Sequence, residues 1–110
     1  MRNGRCWTRA ILGALQAALE DCNKALQSDS SNAATYDSRG LIYLKTGRIA
    51  AAIDDYSAAL RLAPKLASAL YGRGLAKLKQ GDKAAGDADI SAAKIIQANI
   101  GDEFTRYGVR

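Results

Sequence analysis

Two short stretches place an arginine directly before a glycine, a pairing that could bind phosphate or another anion. They are DSRGL at residues 37–41 and YGRGL at residues 71–75. A dinucleotide-binding loop needs a third glycine and a preceding strand, and neither accompanies Gly72 and Gly74. The pattern instead favours glycines that allow two helices to pack closely, with the arginines in a structural role.

Catalytic chemistry has little support in the composition. The chain of 110 residues contains no histidine, which removes the commonest general base and the commonest zinc ligand. Serine, lysine and carboxylate side chains are present, but no third group is evident that would activate or orient one of them. We therefore expect a protein that is not an enzyme and that uses no metal or cofactor.

The two cysteines, Cys6 and Cys22, belong to no Cys-x-x-Cys pair that would suggest a zinc site. They can form a disulfide if their Cα atoms lie about 4.4 to 6.8 Å apart, or they can remain two small buried thiols. The sequence favours the thiols and leaves the disulfide open.

The charge is mildly basic, with 16 lysines and arginines against 11 acidic residues and a formal net charge of +5. Acidic proteins and nucleic acid are therefore candidate partners. Gln16 interrupts the apolar run near the N-terminus, and no run approaches the roughly 18 apolar residues of a membrane span. We expect neither a signal peptide nor a membrane helix, which favours the cytoplasm.

A period of 34 residues organises most of the chain, which is typical of helical repeat proteins. Residues of one type recur at this spacing as Arg5, Arg39 and Arg73; as Gly13, Gly47 and Gly81; as Asp21, Asp55 and Asp89; and as Ala25, Ala59 and Ala93. We expect one domain over residues 1–110, with copies at 1–32, 33–66 and 67–100 and a tail at 101–110.

Each copy is predicted to contain two helices, because apolar residues recur three and four apart on either side of a glycine. In the second copy the first helix is expected from about Ala33 to Thr46, with Ser31 or Asn32 as its N-cap. The second helix is expected from about Ile49 to Leu62, and Pro64 prevents its extension. In the tail, the helical spacing of apolar side chains predicts a short helix at about 101–108 that covers the last repeat.

The second copy carries the most complete set of repeated positions. They are Tyr36, Arg39, Gly40 and Tyr43 in its first helix, followed by Ala52, Tyr56, Ala59 and Pro64. In length and in these positions the copy resembles the tetratricopeptide repeat. The third copy is a fair match, with Gly86 and Ile90 at two of the positions, and the first copy is degenerate, with Cys6 and Cys22.

The resemblance implies an all-α fold, a right-handed α-solenoid of antiparallel helix pairs with about three repeats and a short C-terminal capping helix. It also implies a non-catalytic scaffold that binds a partner peptide or helix in its concave groove. From the spacing, we expect Gly40 to face Ala52 and Gly74 to face Gly86 within the helix pairs.

Antiparallel packing of the two helices in each copy also brings one arginine close to one aspartate. The structural ladder predicted in this way consists of Arg5, Arg39, Arg73, Asp21, Asp55 and Asp89. Alternatively, the arginines line a groove for an anionic ligand.

The first helices of the copies are expected to line the inner face of the stack, and their spacing places Trp7 and Asp37 on that face. The predicted peptide-binding groove consists of Trp7, Leu41, Lys45, Tyr71, Leu75 and Lys79. The two aromatic residues would anchor the partner and the two lysines would contact its acidic residues. Alternatively, the lysines only stabilise the C-terminal ends of helices.

Some tetratricopeptide domains bind the acidic C-termini of chaperones through lysines and asparagines. The corresponding places here hold Asn3, Trp7, Ser38 and Ser68, with Gly72 where an arginine is wanted, so this activity is disfavoured. Two other functions stay open: binding of nucleic acid or another polyanion through a basic groove, and self-association through the uncapped N-terminal repeat.

Overall fold

Seven α-helices and no strand make up residues 2–109, the part of the chain that the computed structural model describes. The helices are α1 (Arg2–Leu12), α2 (Leu15–Ser28), α3 (Ala33–Lys45), α4 (Ile49–Leu62), α5 (Ala67–Lys79), α6 (Lys83–Ile96) and α7 (Ile100–Arg106). The predicted all-α repeat solenoid is confirmed. Residues 1 and 110 of the expected domain, and the side chain of Asn3, lie outside the described part.

A glycine lies in the turn inside each helix pair. Gly13, Gly47 and Gly81 have φ angles of 87°, 79° and 89°. This left-handed conformation is strained for residues with a Cβ, whereas glycine adopts it readily and thereby ends the preceding helix. The expectation from the period of 34 residues is confirmed at all three positions.

The bounds of the second pair lie close to those expected. Helix α3 begins after Asn32, whose side-chain oxygen accepts a hydrogen bond of 3.3 Å from the backbone N–H of Thr35. It ends at Lys45, one residue earlier than predicted. Helix α4 covers Ile49–Leu62 as expected, and Pro64 lies in the connection to α5.

The helices stack so that α1, α3 and α5 form one face. Helix α3 contacts both α1 and α5, while α2 and α4 pack against their own partners and against the next first helix. Within residues 2–109, α2 does not pack on α4, nor α4 on α6. The helices α1, α3 and α5 therefore line the inner face of the stack, and α2, α4 and α6 its outer side.

Glycines allow the closest approaches between helices. A Cβ on Gly74 would lie 2.8 Å from the carbonyl oxygen of Gly86, which confirms that these two residues face each other. At Gly40 the three atoms nearest to the missing Cβ belong to the ring of Tyr56. The same buried ring also covers Gly72. One aromatic side chain of α4 thus requires glycine on both α3 and α5.

The cysteines fasten the first helix pair. Cys6 of α1 and Cys22 of α2 are fully buried and form a disulfide, with their Cα atoms 5.3 Å apart. The sequence favoured two free thiols and left the disulfide open, because the spacing of the two cysteines along the chain does not fix the distance between their Cα atoms. The disulfide holds α1 on α2 at the end of the stack.

The C-terminal segment packs on the last helix pair and then crosses the inner face. Helix α7 contacts α5 and α6, with Ile100 and Phe104 buried. Beyond it, the ring of Tyr107 lies 5.1 Å from the ring of Trp7 in α1, measured between centroids. The segment therefore reaches the first repeat, further than the expected cover over the last one.

No helix within residues 2–109 has both the length and the apolar character needed to cross a bilayer.

Candidate functional site

Arginine and aspartate side chains join the two helices of each pair. Arg39 donates two hydrogen bonds to the carboxylate of Asp55, at 2.7 and 2.8 Å, and Arg73 donates two to Asp89, at 2.8 and 3.0 Å. In the first pair, Asp21 forms ion pairs with both Arg5 and Arg9. The two-bond geometry is the strong form of this ion pair, and the aspartates are buried.

The same arginines also link neighbouring pairs. Arg39 donates a hydrogen bond of 3.0 Å to Asn23 in α2, and Arg73 donates one of 3.3 Å to Ser57 in α4. Each of these two arginines therefore donates to a residue in the second helix of its own pair and to a residue in the second helix of the preceding pair. These guanidinium groups hold the helices together, and their donors point toward the second helices.

The ion pairs shift the titration of the groups they join. The hydrogen bonds that Arg39 donates to Asp55 raise the pKa of this arginine above its ordinary value, although burial acts in the opposite direction. Burial would raise the pKa of Asp89, but its bonds to Arg73 and Lys77 outweigh that effect and hold the pKa below the ordinary value. The charged forms of these groups are thus favoured in the fold.

Both aromatic residues of the predicted groove contact the C-terminal segment. Tyr71 packs on Phe104 with ring centroids 4.8 Å apart, Phe104 on Tyr107 at 5.4 Å, and Tyr107 edge-on to Trp7 at 5.1 Å. These four rings form a row across the inner face from α5 to α1. Part of the predicted groove is therefore filled by the chain itself.

The other predicted groove residues have different surroundings. Leu41 is buried and Leu75 half-buried against the core. Lys45 donates a hydrogen bond of 2.9 Å to the carbonyl oxygen of Ala10 near the end of α1, and burial lowers its pKa. Lys79 is exposed in the last turn of α5. Lys45 thus serves the C-terminal end of a helix, and the structure does not gather the six residues into one open groove.

An open cavity of about 370 Å³ lies on the inner face beside the aromatic row. The residues that line it are Gly4, Trp7, Ala34, Asp37, Ser38, Ser68, Gln97, Glu103 and Tyr107. They come from α1, α3, α5, α7 and the segments that flank α7. We call this space the inner cavity.

Carboxylates dominate the polar chemistry of the inner cavity. Asp37 accepts a hydrogen bond of 2.6 Å from the hydroxyl of Ser68, and its burial raises its pKa to about 6. Tyr107 donates a hydrogen bond of 3.1 Å to Glu103. Burial raises the pKa of Tyr107 to about 12, with contributions from the charges of Glu103 and Asp37.

Sequence reasoning placed Trp7 and Asp37 on the inner face but missed the cavity, because one wall comes from the tail. Glu103 and Tyr107 lie outside the repeat of 34 residues, so the period could not place them. One signal was available. Asp37 interrupts the buried face of α3, and the equivalent positions hold Asn3 and Tyr71, so this aspartate belongs to no repeated set.

Comparison with protein families gives one match, to the model described as TPR repeat, over residues 40–81. A search of curated proteins found no significant match. The matched residues run from the middle of α3 through α4 to the turn after α5, where the repeated positions are most complete. Together with the stacked antiparallel helices, this match shows a tetratricopeptide repeat at residues 40–81.

Proposed function

We propose that this protein is a non-catalytic interaction scaffold that binds a segment of a partner protein on its inner face. Tetratricopeptide domains generally mediate protein–protein interactions, and this chain has the fold. The observation that supports the choice of face is the C-terminal segment. It packs there as a short helix and turn through apolar and aromatic side chains, so the surface has the chemistry to hold a peptide.

The partner is expected to enter at the inner cavity. That space adjoins the aromatic row and is bounded by three first helices and by the tail. A peptide side chain can occupy it without displacing α7, which then forms one wall of the site. We also propose that Lys79, in the last turn of α5, contacts an acidic residue of the partner.

A selection from a random peptide library tests this function, with one variant that fills the inner cavity and one that does not. Ala34, the second residue of α3, lines the cavity, whereas Ala50, the second residue of α4, is exposed on the outer side. The wild-type protein is expected to enrich a family of related peptides. The A34F variant should lose them, because the phenyl ring occupies the space, and the A50F variant should retain them.

Circular dichroism and thermal unfolding should first show that both variants are folded. Failure of the wild type to enrich any related peptides would count against the scaffold function, and equal binding by a folded A34F would show that the partner does not enter at the inner cavity.

A further inference from the structure

Asp37 differs from the other buried aspartates of the described chain in having no cation beside it. Asp21, Asp55 and Asp89 are each paired with at least one arginine. Asp37 is as deeply buried, with 7% of its surface exposed, yet none of the ion pairs among residues 4–109 includes it. Its only hydrogen-bond partner in that range is the hydroxyl of Ser68.

A buried carboxylate in this state has unused binding capacity. An ionised carboxylate can accept about four hydrogen bonds, and burial without a compensating charge is unfavourable. Because burial disfavours the charged form, the pKa of Asp37 is raised. A group that supplied a positive charge and several donors would remove the cost of this burial.

The inner cavity gives such a group access to Asp37. Glu103 lines the same space, so two carboxylates face it, and none of the described lining residues is basic. The hydrogen bond from Tyr107 to Glu103 leaves most of the acceptor sites of that carboxylate open. The space therefore favours a cation.

The aromatic wall favours a planar cation. Trp7 and Tyr107 both line the cavity, and their rings meet edge to face. A cation over an aromatic ring is attracted by its negative face, and a guanidinium group also stacks flat on it. The planar fork of donors suits a carboxylate better than the point charge of an ammonium group does.

One local feature opposes a cation. The first turns of α3 and α5 reach the cavity at Ala34 and Ser68, and the N-terminal end of a helix carries about half a positive charge. This effect falls off within the first turn. It is also weakened at α3, where the side chain of Asn32 already accepts from the backbone N–H of Thr35. The two full negative charges dominate.

We propose that the inner cavity binds an arginine side chain of the partner, with Asp37 as its counter-ion and Trp7 and Tyr107 as its aromatic wall. The proposal rests on the proposed function, since it names the partner residue that the inner face selects. At the inner cavity, this proposal replaces the expectation that the partner presents an acidic residue.

The single tryptophan of the chain reports directly on the cavity that it lines. The experiment titrates N-acetyl-arginine amide into the protein and follows the one indole N–H signal of Trp7 by NMR. A saturable shift is expected. N-acetyl-citrulline amide, which has the same shape without the charge, should give none, and N-acetyl-lysine amide should bind several-fold more weakly.

The variant D37N and its control D54N remove the same charge in different places. Asp54 is exposed on α4, away from the cavity. D37N should weaken binding of the arginine probe at least tenfold, and D54N should leave it within twofold. Equal shifts with the citrulline probe, or an unchanged affinity in a folded D37N protein, would overturn the proposal.

The outcome is separable from that of the proposed function. If the selected peptides bind wild type and D37N equally well, the arginine site is refuted and the scaffold function stands. A Trp7 shift with the arginine probe that depends on Asp37, without any selected peptide, would support the cavity and count against the scaffold function.

Discussion

Asp37 shows how a single residue can oppose the stability of the fold that contains it. The other buried aspartates are each paired with an arginine, whereas among residues 4–109 only the hydroxyl of Ser68 donates to this one. Its raised pKa means that the folded chain binds a proton that the unfolded chain has already released.

The sign of the pH effect follows from this difference. Stability from protonated Asp37 is fully present below the ordinary pKa of about 4 and is lost as the pH rises through about 6. A shift of roughly two units corresponds to a loss on the order of 2 to 3 kcal/mol. D37N cannot titrate. The free energy of unfolding of D37N minus that of wild type should therefore rise by about 2 to 3 kcal/mol from pH 4 to pH 7.

Urea unfolding of both proteins across this range measures the difference. The groups around Asp37 are Ser68 on α5, Tyr56 on α4, and Glu103 and Tyr107 in the tail. These groups are the same in both proteins, so to a first approximation their own titration cancels in the difference. A difference that stays constant from pH 4 to pH 7 would contradict the raised pKa.

At the scale of the helices, each pair is joined by an ion pair and by close packing at small residues. Asp55 is 5% exposed, and both of its oxygens accept from Arg39. The arginine continues to Asn23 of the preceding pair. Loss of the aspartate therefore affects two contacts: the one within a pair and the one between pairs.

The variant D55A is expected to lower the free energy of unfolding by about 2 to 4 kcal/mol, because it leaves a largely buried guanidinium without its carboxylate. The adjacent variant D54A removes an exposed carboxylate and should stay within about 0.5 kcal/mol of wild type. Urea or thermal unfolding of the two variants gives the comparison. Equal stability of D55A and D54A would mean that the arginine ladder does not hold the helix pairs together.

The helix pairs could be predicted from the sequence because their signals are local and recur. The turn at Gly47 and the end of α4 near Pro64 need only the residues around them. The position of the tail could not be predicted in this way. Apolar spacing indicated a helix, but the contact between Trp7 and Tyr107 joins residues at opposite ends of the chain, and no pattern within a repeat encodes it.

The candidate site was only partly predictable for the same reason. Trp7 and Asp37 could be assigned to the inner face from helical spacing, whereas Glu103 belongs to the cavity only because the tail folds back. Whether Lys45 is available for a ligand or stabilises a helix end depends on its distance from the end of α1, which the sequence does not give. The bond from Lys45 to the carbonyl oxygen of Ala10 provides it.

At the scale of the whole molecule, the tail converts a linear stack into a closed one. In an open solenoid each repeat contacts only its neighbours, so an end repeat can unfold before the others. Here Tyr107 connects the end of the last repeat to Trp7 in the first, and the molecule measures 35 × 25 × 24 Å. The three pairs should therefore unfold together in the wild type.

Removal of that connection should separate the first pair from the rest. In Y107A, the midpoint of urea unfolding followed by Trp7 fluorescence is expected to fall below the midpoint followed by circular dichroism, because the first pair then depends on α3 alone. The exposed neighbour Arg106 supplies the control, and R106A should keep the two midpoints equal, as in wild type. Coincident midpoints in Y107A would show that stacking on α3 alone couples the first pair to the others, and that the tail contributes contacts without adding cooperativity.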